Sequence, residues 1–225
     1  MLIPAEVAAV LLALLLALPL GLATPLLLRW LPVPPDEGDV APFSALATPG
    51  FRTAVFGCSA VAGGIAFGNL PPSHWPAWIG LVSLGCLLGL VDLRTGFLPL
   101  RLSYLTTVCA AVGVVVSAWL RADAWVLAGA AGAGVLAAGF FWLVWRVSSG
   151  LGFGDVRLAG LIGLVAGAEG ARFAFLAFLL ATLTGAVWGL VVRWRRSAGG
   201  PFPYGPALLL GPLLALGVSR LLLPG

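Results

Sequence analysis

The sequence predicts an all-α, polytopic integral membrane protein of about eight transmembrane helices, on three observations. Of 225 residues, 61% are hydrophobic and 9% charged, against about 25% charged in an ordinary soluble domain. The mean hydropathy is +1.10, which exceeds what a water-soluble fold of this size can hide and is the reverse of what disorder requires. The apolar residues are also gathered into long runs, and a helix crossing roughly 30 Å of hydrocarbon needs about 20 of them.

The expected spans are Ala5 to Leu28, Phe51 to Leu70, Trp75 to Val91, Leu100 to Leu120, Ala124 to Trp145, Val156 to Ala168, Ala171 to Val192 and Pro203 to Leu223. The first lacks a basic leader and a cleavage site, so it is read as a retained helix, with Pro19 expected to kink it. The sixth has only about 13 residues, so little tilt, a thinned bilayer or partial insertion is expected.

Arginine supplies the orientation. All 12 basic residues are Arg. With the N-terminus outside, Arg29, Arg52, Arg94, Arg101, Arg146, Arg157, Arg193, Arg195 and Arg196 fall on the cytoplasmic side, and Arg121, Arg172 and Arg220 fall outside. That imbalance follows the positive-inside rule and predicts a multi-pass protein of the inner (cytoplasmic) membrane. The short cluster Arg193, Arg195 and Arg196 reads as a cytoplasmic anchor, and no basic stripe suits nucleic acid.

Three cysteines (Cys58, Cys86 and Cys109) and a single His74 make neither a Cys-x-x-Cys pair nor a ligand cluster. No metal site, cofactor or disulfide framework is therefore expected, and the cysteines read as apolar packing residues. Trp75 and Trp78 beside His74 resemble an interfacial aromatic belt, with His74 an interface residue lacking any metal or nucleophile partner. The connection from Leu31 to Gly50 carries five prolines and the acidic cluster Asp36, Glu37 and Asp39, and reads as an extended solvated loop. Glycines inside spans, such as Gly80, Gly85, Gly89, Gly129, Gly132, Gly134 and Gly139, are expected to let helix backbones approach closely. The organisation expected is two N-terminal helices with their loop over residues 1–70, then a six-helix core over 71–225.

Two carboxylates interrupt this pattern where a carboxylate is costly. Asp92 closes the third span and Asp155, in Gly152-Phe153-Gly154-Asp155, opens the sixth. The Arg count places both at the cytoplasmic membrane edge, where an ionisable side chain marks a functional site by default. Two carboxylates converging on one water share a proton, one acting as base and the other as acid, and can hydrolyse a peptide without a covalent intermediate. Helix dipoles favour the anion on Asp155, at a helix N-terminus, and the proton on Asp92, at a C-terminus. Gly152 and Gly154 leave the approach to Asp155 free of side chains. The bland alternative for each aspartate is a helix-end residue paired with Arg94, Arg101 or Arg157.

Three stretches in order carry a resemblance to the type IV prepilin peptidases, membrane aspartyl proteases with a Gly-x-Gly-Asp motif. Asp92 followed by Leu98-Pro99 resembles the first catalytic motif. Gly152 to Leu158 resembles the second, with Arg157 in place of Lys. Pro201-Phe202-Pro203-Tyr204-Gly205-Pro206 resembles the Pro-Phe-Gly-Pro segment opening the last helix. The resemblance spans roughly Trp75 to Leu223. It implies Asp92 and Asp155 as catalytic residues, with Gly152, Gly154, Pro99, Gly205 and Pro206 shaping the site. It also implies, as partner, a prepilin or pseudopilin with a basic leader and a hydrophobic helix held in the lipid bilayer. Bifunctional members carry Cys-x-x-Cys pairs in the first cytoplasmic loop, and Leu31 to Gly50 has no Cys, so peptidase activity without methyl transfer is expected. The alternatives are a presenilin or signal-peptide-peptidase type of protease, whose Pro-Ala-Leu triplet Pro206-Ala207-Leu208 matches, and a proton-coupled transporter.

Overall fold

The computed structural model describes residues 4–32, 42–148, 151–195 and 203–222, all-α with no strand among them. The helices are α1 (Ala5–Trp30), α2 (Pro49–Asn69), α3 (Trp75–Gly80), α4 (Cys86–Thr95), α5 (Leu100–Arg121), α6 (Trp125–Val147), α7 (Phe153–Ala168), α8 (Ala171–Arg195) and α9 (Gly205–Leu222). A π-helical turn, Leu81–Gly85, joins α3 to α4 into one rod, so the described residues form the eight rods expected. Six rods are long and apolar enough to cross a membrane: α1, α2, the α3–α4 rod from Pro72, α5, α6 and α8. The acidic cluster Asp36 to Asp39, and the side chains of Arg193, Arg195 and Arg196, lie outside the described residues.

Lipid as solvent explains the surface. Leu15, Leu22 and Leu26 of α1 and Leu136, Phe140 and Leu143 of α6 all point outward, more than half exposed. α7 is the reverse. Its 16 residues bury Val156, Leu158, Ala159, Leu161, Ile162 and Val165 among the other helices. It spans roughly 24 Å at 1.5 Å per residue, and its surroundings are protein more than lipid.

Small residues set the closest contacts. A Cβ on Gly163 would lie 2.5 Å from the Ala133 carbonyl oxygen, and one on Gly129 would lie 2.7 Å from that of Gly167, so α6 and α7 meet backbone to backbone. Gly80 packs likewise on Ala110 of α5, but Gly132 and Gly139 face open space and do not serve the close packing expected of them.

Proline leaves one traceable orphan. Pro25, like Pro19, lies inside the continuous α1 and has no N–H for the carbonyl four residues back. That carbonyl is Gly21 O, and Arg52 Nε of α2 donates to it at 3.2 Å. Freed backbone groups in a membrane must find such partners.

The aromatic-belt expectation is corrected at Trp78. Trp78 is fully buried and donates through Nε1 to Glu169 Oε1 at 3.0 Å. His74 Nδ1 lies 2.6 Å from Oε2 of the same Glu169.

Candidate active site

Asp92 sits in the last turn of α4, and that turn ends because Gly96 adopts the left-handed conformation (φ 71°) with its N–H on Asp92 O at 2.7 Å. The cap turns the chain sharply through Phe97-Leu98 to Pro99, the N-cap of α5, whose carbonyl accepts from Ser103 N at 2.9 Å and Ser103 Oγ at 3.0 Å. Asp92 is 3% exposed, and its Oδ2 accepts the Gly205 N–H at 3.0 Å.

Asp155 occupies the first turn of α7, 8% exposed. Its Oδ2 accepts the Gly152 N–H at 3.0 Å while its own N–H bonds Gly152 O at 3.0 Å. This reciprocal closure satisfies donors that a helix N-terminus would leave orphaned.

Two contacts bring the motifs together. A Cβ on Gly154 would lie 2.7 Å from Leu98 Cβ, so the turn after Asp92 rests on the backbone before Asp155. A Cβ on Gly205 would lie 2.5 Å from Asp92 Oδ2 and 3.4 Å from Leu158, so the start of α9 closes over both α4 and α7. The two carboxylates stand within electrostatic reach of one another. Tyr204, next to Gly205, is hydrogen-bonded to Thr182 and lies within electrostatic reach of Asp155. The dipole contrast expected between the aspartates is modified at Asp92: Asp155 sits at the N-terminus of α7 and Asp92 in the last turn of α4, but Asp92 also accepts from the first residue of α9. Both carboxylates therefore see the positive end of a helix.

The arginine alternative is not what the structure holds. Among the described residues no arginine forms an ion pair with either aspartate. Arg101 instead donates from Nη1 to Trp30 O at 2.9 Å and lies over the Trp30 ring. Arg157 stacks over the Phe153 ring at 5.8 Å, with Nε and Nη1 buried and without partners. Phe153 packs edge-on against Trp145 at 5.1 Å. Among the described residues no three His, Cys, Asp or Glu side chains converge as metal ligands.

Beside Asp92 an open apolar groove of about 470 Å³ runs between α2, the α3–α4 rod and α9, with Gly89, Leu90, Leu93, Pro206 and Leu209 in its wall. Of the residues singled out in the sequence, Asp92, Asp155, Gly152, Gly154, Gly205 and Pro206 thus gather at one end of the bundle. Pro99 acts one step away, through the α4–α5 turn. Tyr204 was quoted in a motif without a role, and only its placement here makes it part of the site.

The model of the type IV leader peptidase family matches residues 73–190, more than half of the chain. The chain belongs to that family. A relative from Bacillus subtilis (strain 168), the prepilin leader peptidase/N-methyltransferase, is 31% identical over 166 residues, which cover 72% of this chain and 62% of the relative. The chain thus spans less than two thirds of that protein's length. No solved structure matches. The family match takes in both aspartates and the Gly-x-Gly-Asp stretch and stops short of Tyr204 and Gly205, which the fold carries onto Asp92 and Asp155.

Proposed function

We propose that this leader peptidase family member is a membrane-embedded aspartyl endopeptidase that removes the basic leader of a prepilin or pseudopilin. The observation that supports it best is two buried carboxylates, on helix ends from distant parts of the chain, held by backbone N–H groups and unpaired with arginine. Structural carboxylates at such depth are normally neutralised by a cation, whereas a proton-sharing pair serves general acid–base chemistry.

In the mechanism, one carboxylate takes a proton from a water held between the pair while the water oxygen attacks the scissile carbonyl. The protonated partner hydrogen-bonds the carbonyl oxygen as charge develops there. Transfer of that partner's proton to the oxygen gives a tetrahedral diol; as its C–N bond breaks, the first carboxyl passes its proton to the leaving nitrogen and a diol hydroxyl returns one to the partner. The Gly205 and Gly152 N–H groups hold the carboxylates in place throughout, which supplies positioning rather than new bonds. Both aspartates lie at one end of the bundle, which favours a surface protease over a transport path with its site at the bilayer midplane. The arginine distribution supports a cytoplasmic location for that end. Residues 1–70 are read as an accessory helix pair, and the Cys-free connection supports cleavage without methyl transfer.

The test is purified protein in proteoliposomes with a substrate carrying a basic leader and a hydrophobic helix. Mass spectrometry should find one cut between leader and helix and no added methyl group when S-adenosylmethionine is supplied. Intact substrate with the wild type would overturn the proposal, and a methylated product would overturn its restriction to peptidase activity.

A further inference from the structure

We infer that the hydrogen-bonded pair His74–Glu169 is a positioning device for the aspartates: it fastens together the far ends of the two rods whose opposite ends carry Asp92 and Asp155. The inference rests on the reading of those residues as the catalytic pair. The α3–α4 rod has His74 as its N-cap and Asp92 in its last turn; α7 runs the other way, with Asp155 in its first turn and Glu169 as its C-cap. Roughly 20–27 Å of helix separates each clamped end from its aspartate at 1.5 Å per residue.

Glu169 grips the rod at two points one turn apart. Its Oε2 lies 2.6 Å from His74 Nδ1, and its Oε1 accepts from Trp78 Nε1 at 3.0 Å. Trp78 is itself wedged edge-on against Phe173 of α8 at 6.0 Å. α5 fixes the same end from its own side. Ser117 Oγ donates to His74 O at 3.2 Å and accepts from Ala77 N at 3.2 Å, while Arg121 Nη1 donates to Ala168 O at 2.8 Å. The Glu169 side chain is 7% exposed and that of His74 19%, so water competes for this contact far less than for a surface one.

Position is what such a clamp controls. Lipid gives packed helices no hydrophobic drive towards one axial register, so polar contacts at the helix ends help to set it. Helices are stiff along their axes, so a slip at Glu169 reaches Asp155 nearly undiminished. A misplacement of about 1 Å costs a preorganised site on the order of 100-fold in rate.

The experiment compares Glu169→Ala, Glu169→Gln and, as a control at the same end, Asp123→Ala. Asp123 only accepts from the nearby Trp125 N–H. In the leader-cleavage assay Glu169→Ala should lose about 10- to 100-fold in kcat with KM within about twofold. Glu169→Gln keeps an acceptor for Trp78 and a donor for His74 and should restore the rate to within about threefold. A second readout needs no catalysis. Carbon-13 carboxyl labelling reports five aspartates, and Asp92 and Asp155 should titrate as a coupled pair in the wild type and in Asp123→Ala but uncoupled in Glu169→Ala. Unchanged carboxyl titration in Glu169→Ala overturns the clamp, as does a kcat loss that follows thermal stability and is not restored by Gln. A wild type that cuts nothing, with Glu169→Ala still uncoupling the carboxylates, supports the clamp and removes the peptidase reading alone.

Discussion

Replacing Gly205 by Ala tests how the last helix holds the first aspartate. The added Cβ would lie 2.5 Å from Asp92 Oδ2 and 3.1 Å from Asp92 Cγ. Ordinary van der Waals contact begins at 3.4 Å, so carboxylate and helix must separate by roughly 0.9 Å. That movement lengthens the 3.0 Å bond from the Gly205 N–H beyond useful geometry. Losing a hydrogen bond to a charged group costs about 1.5–3 kcal/mol, and a displacement of about 1 Å costs on the order of 100-fold in rate, or about 2.7 kcal/mol of barrier. Both estimates point to a kcat about 100-fold below wild type. The assay is leader removal in proteoliposomes, with thermal unfolding followed in parallel. Gly132→Ala is the matched control, because nothing lies within 4 Å of a Cβ there. If Gly205→Ala retains activity within about threefold of the control, Gly205 does not hold Asp92 and the geometry argued for this end of the bundle is wrong.

Other expectations follow from the same contacts. Gly154→Ala places a Cβ 2.7 Å from Leu98 Cβ and should slow cleavage at least about 10-fold, while the double variant Gly154→Ala/Leu98→Gly removes that Cβ and should recover most of the rate; equal loss in both would mean that the Leu98 contact does not align the motifs. Deleting Leu90, in the α-helical stretch Cys86–Thr95 between the π turn and Asp92, would rotate Asp92 about 100° relative to Trp78, so cleavage should vanish while expression and helix content by circular dichroism persist. Arg52→Ala leaves Gly21 O, freed by Pro25, without its donor and should lower stability by about 1–3 kcal/mol in detergent, read as a lower melting temperature with cleavage unchanged below it.

Much of this molecule was legible in the sequence because lipid imposes a simple code. Long apolar runs gave the eight rods, and Asp92 and Asp155 stood out because ionisable groups are costly at a membrane edge. What escaped shares a physical reason. His74 and Glu169 are 95 residues apart, and neither carries a local pattern naming the other. Trp78 read as an interfacial residue because composition does not say which face of a helix points inward; the fold turns it to Glu169. The π turn has no signature, since Leu81-Val82-Ser83-Leu84-Gly85 suits an α-helix equally well. The sequence placed Asp92 at the end of its own helix but could not show that the N-terminus of α9 reaches it from 113 residues away. Gly129 and Gly132 look alike along the chain, and only the path of α7 decides which is needed for packing.

The central claim is that Asp92 and Asp155 act as one unit on a single water, so their effects on rate should fail to add. The direct measurement is single-turnover leader cleavage by Asp92→Asn, Asp155→Asn and the double variant, each checked for wild-type thermal stability. The account predicts that all three fall to the same background. A single variant that keeps a substantial fraction of the wild-type rate, or a double variant slower than both singles by the product of their losses, would contradict it.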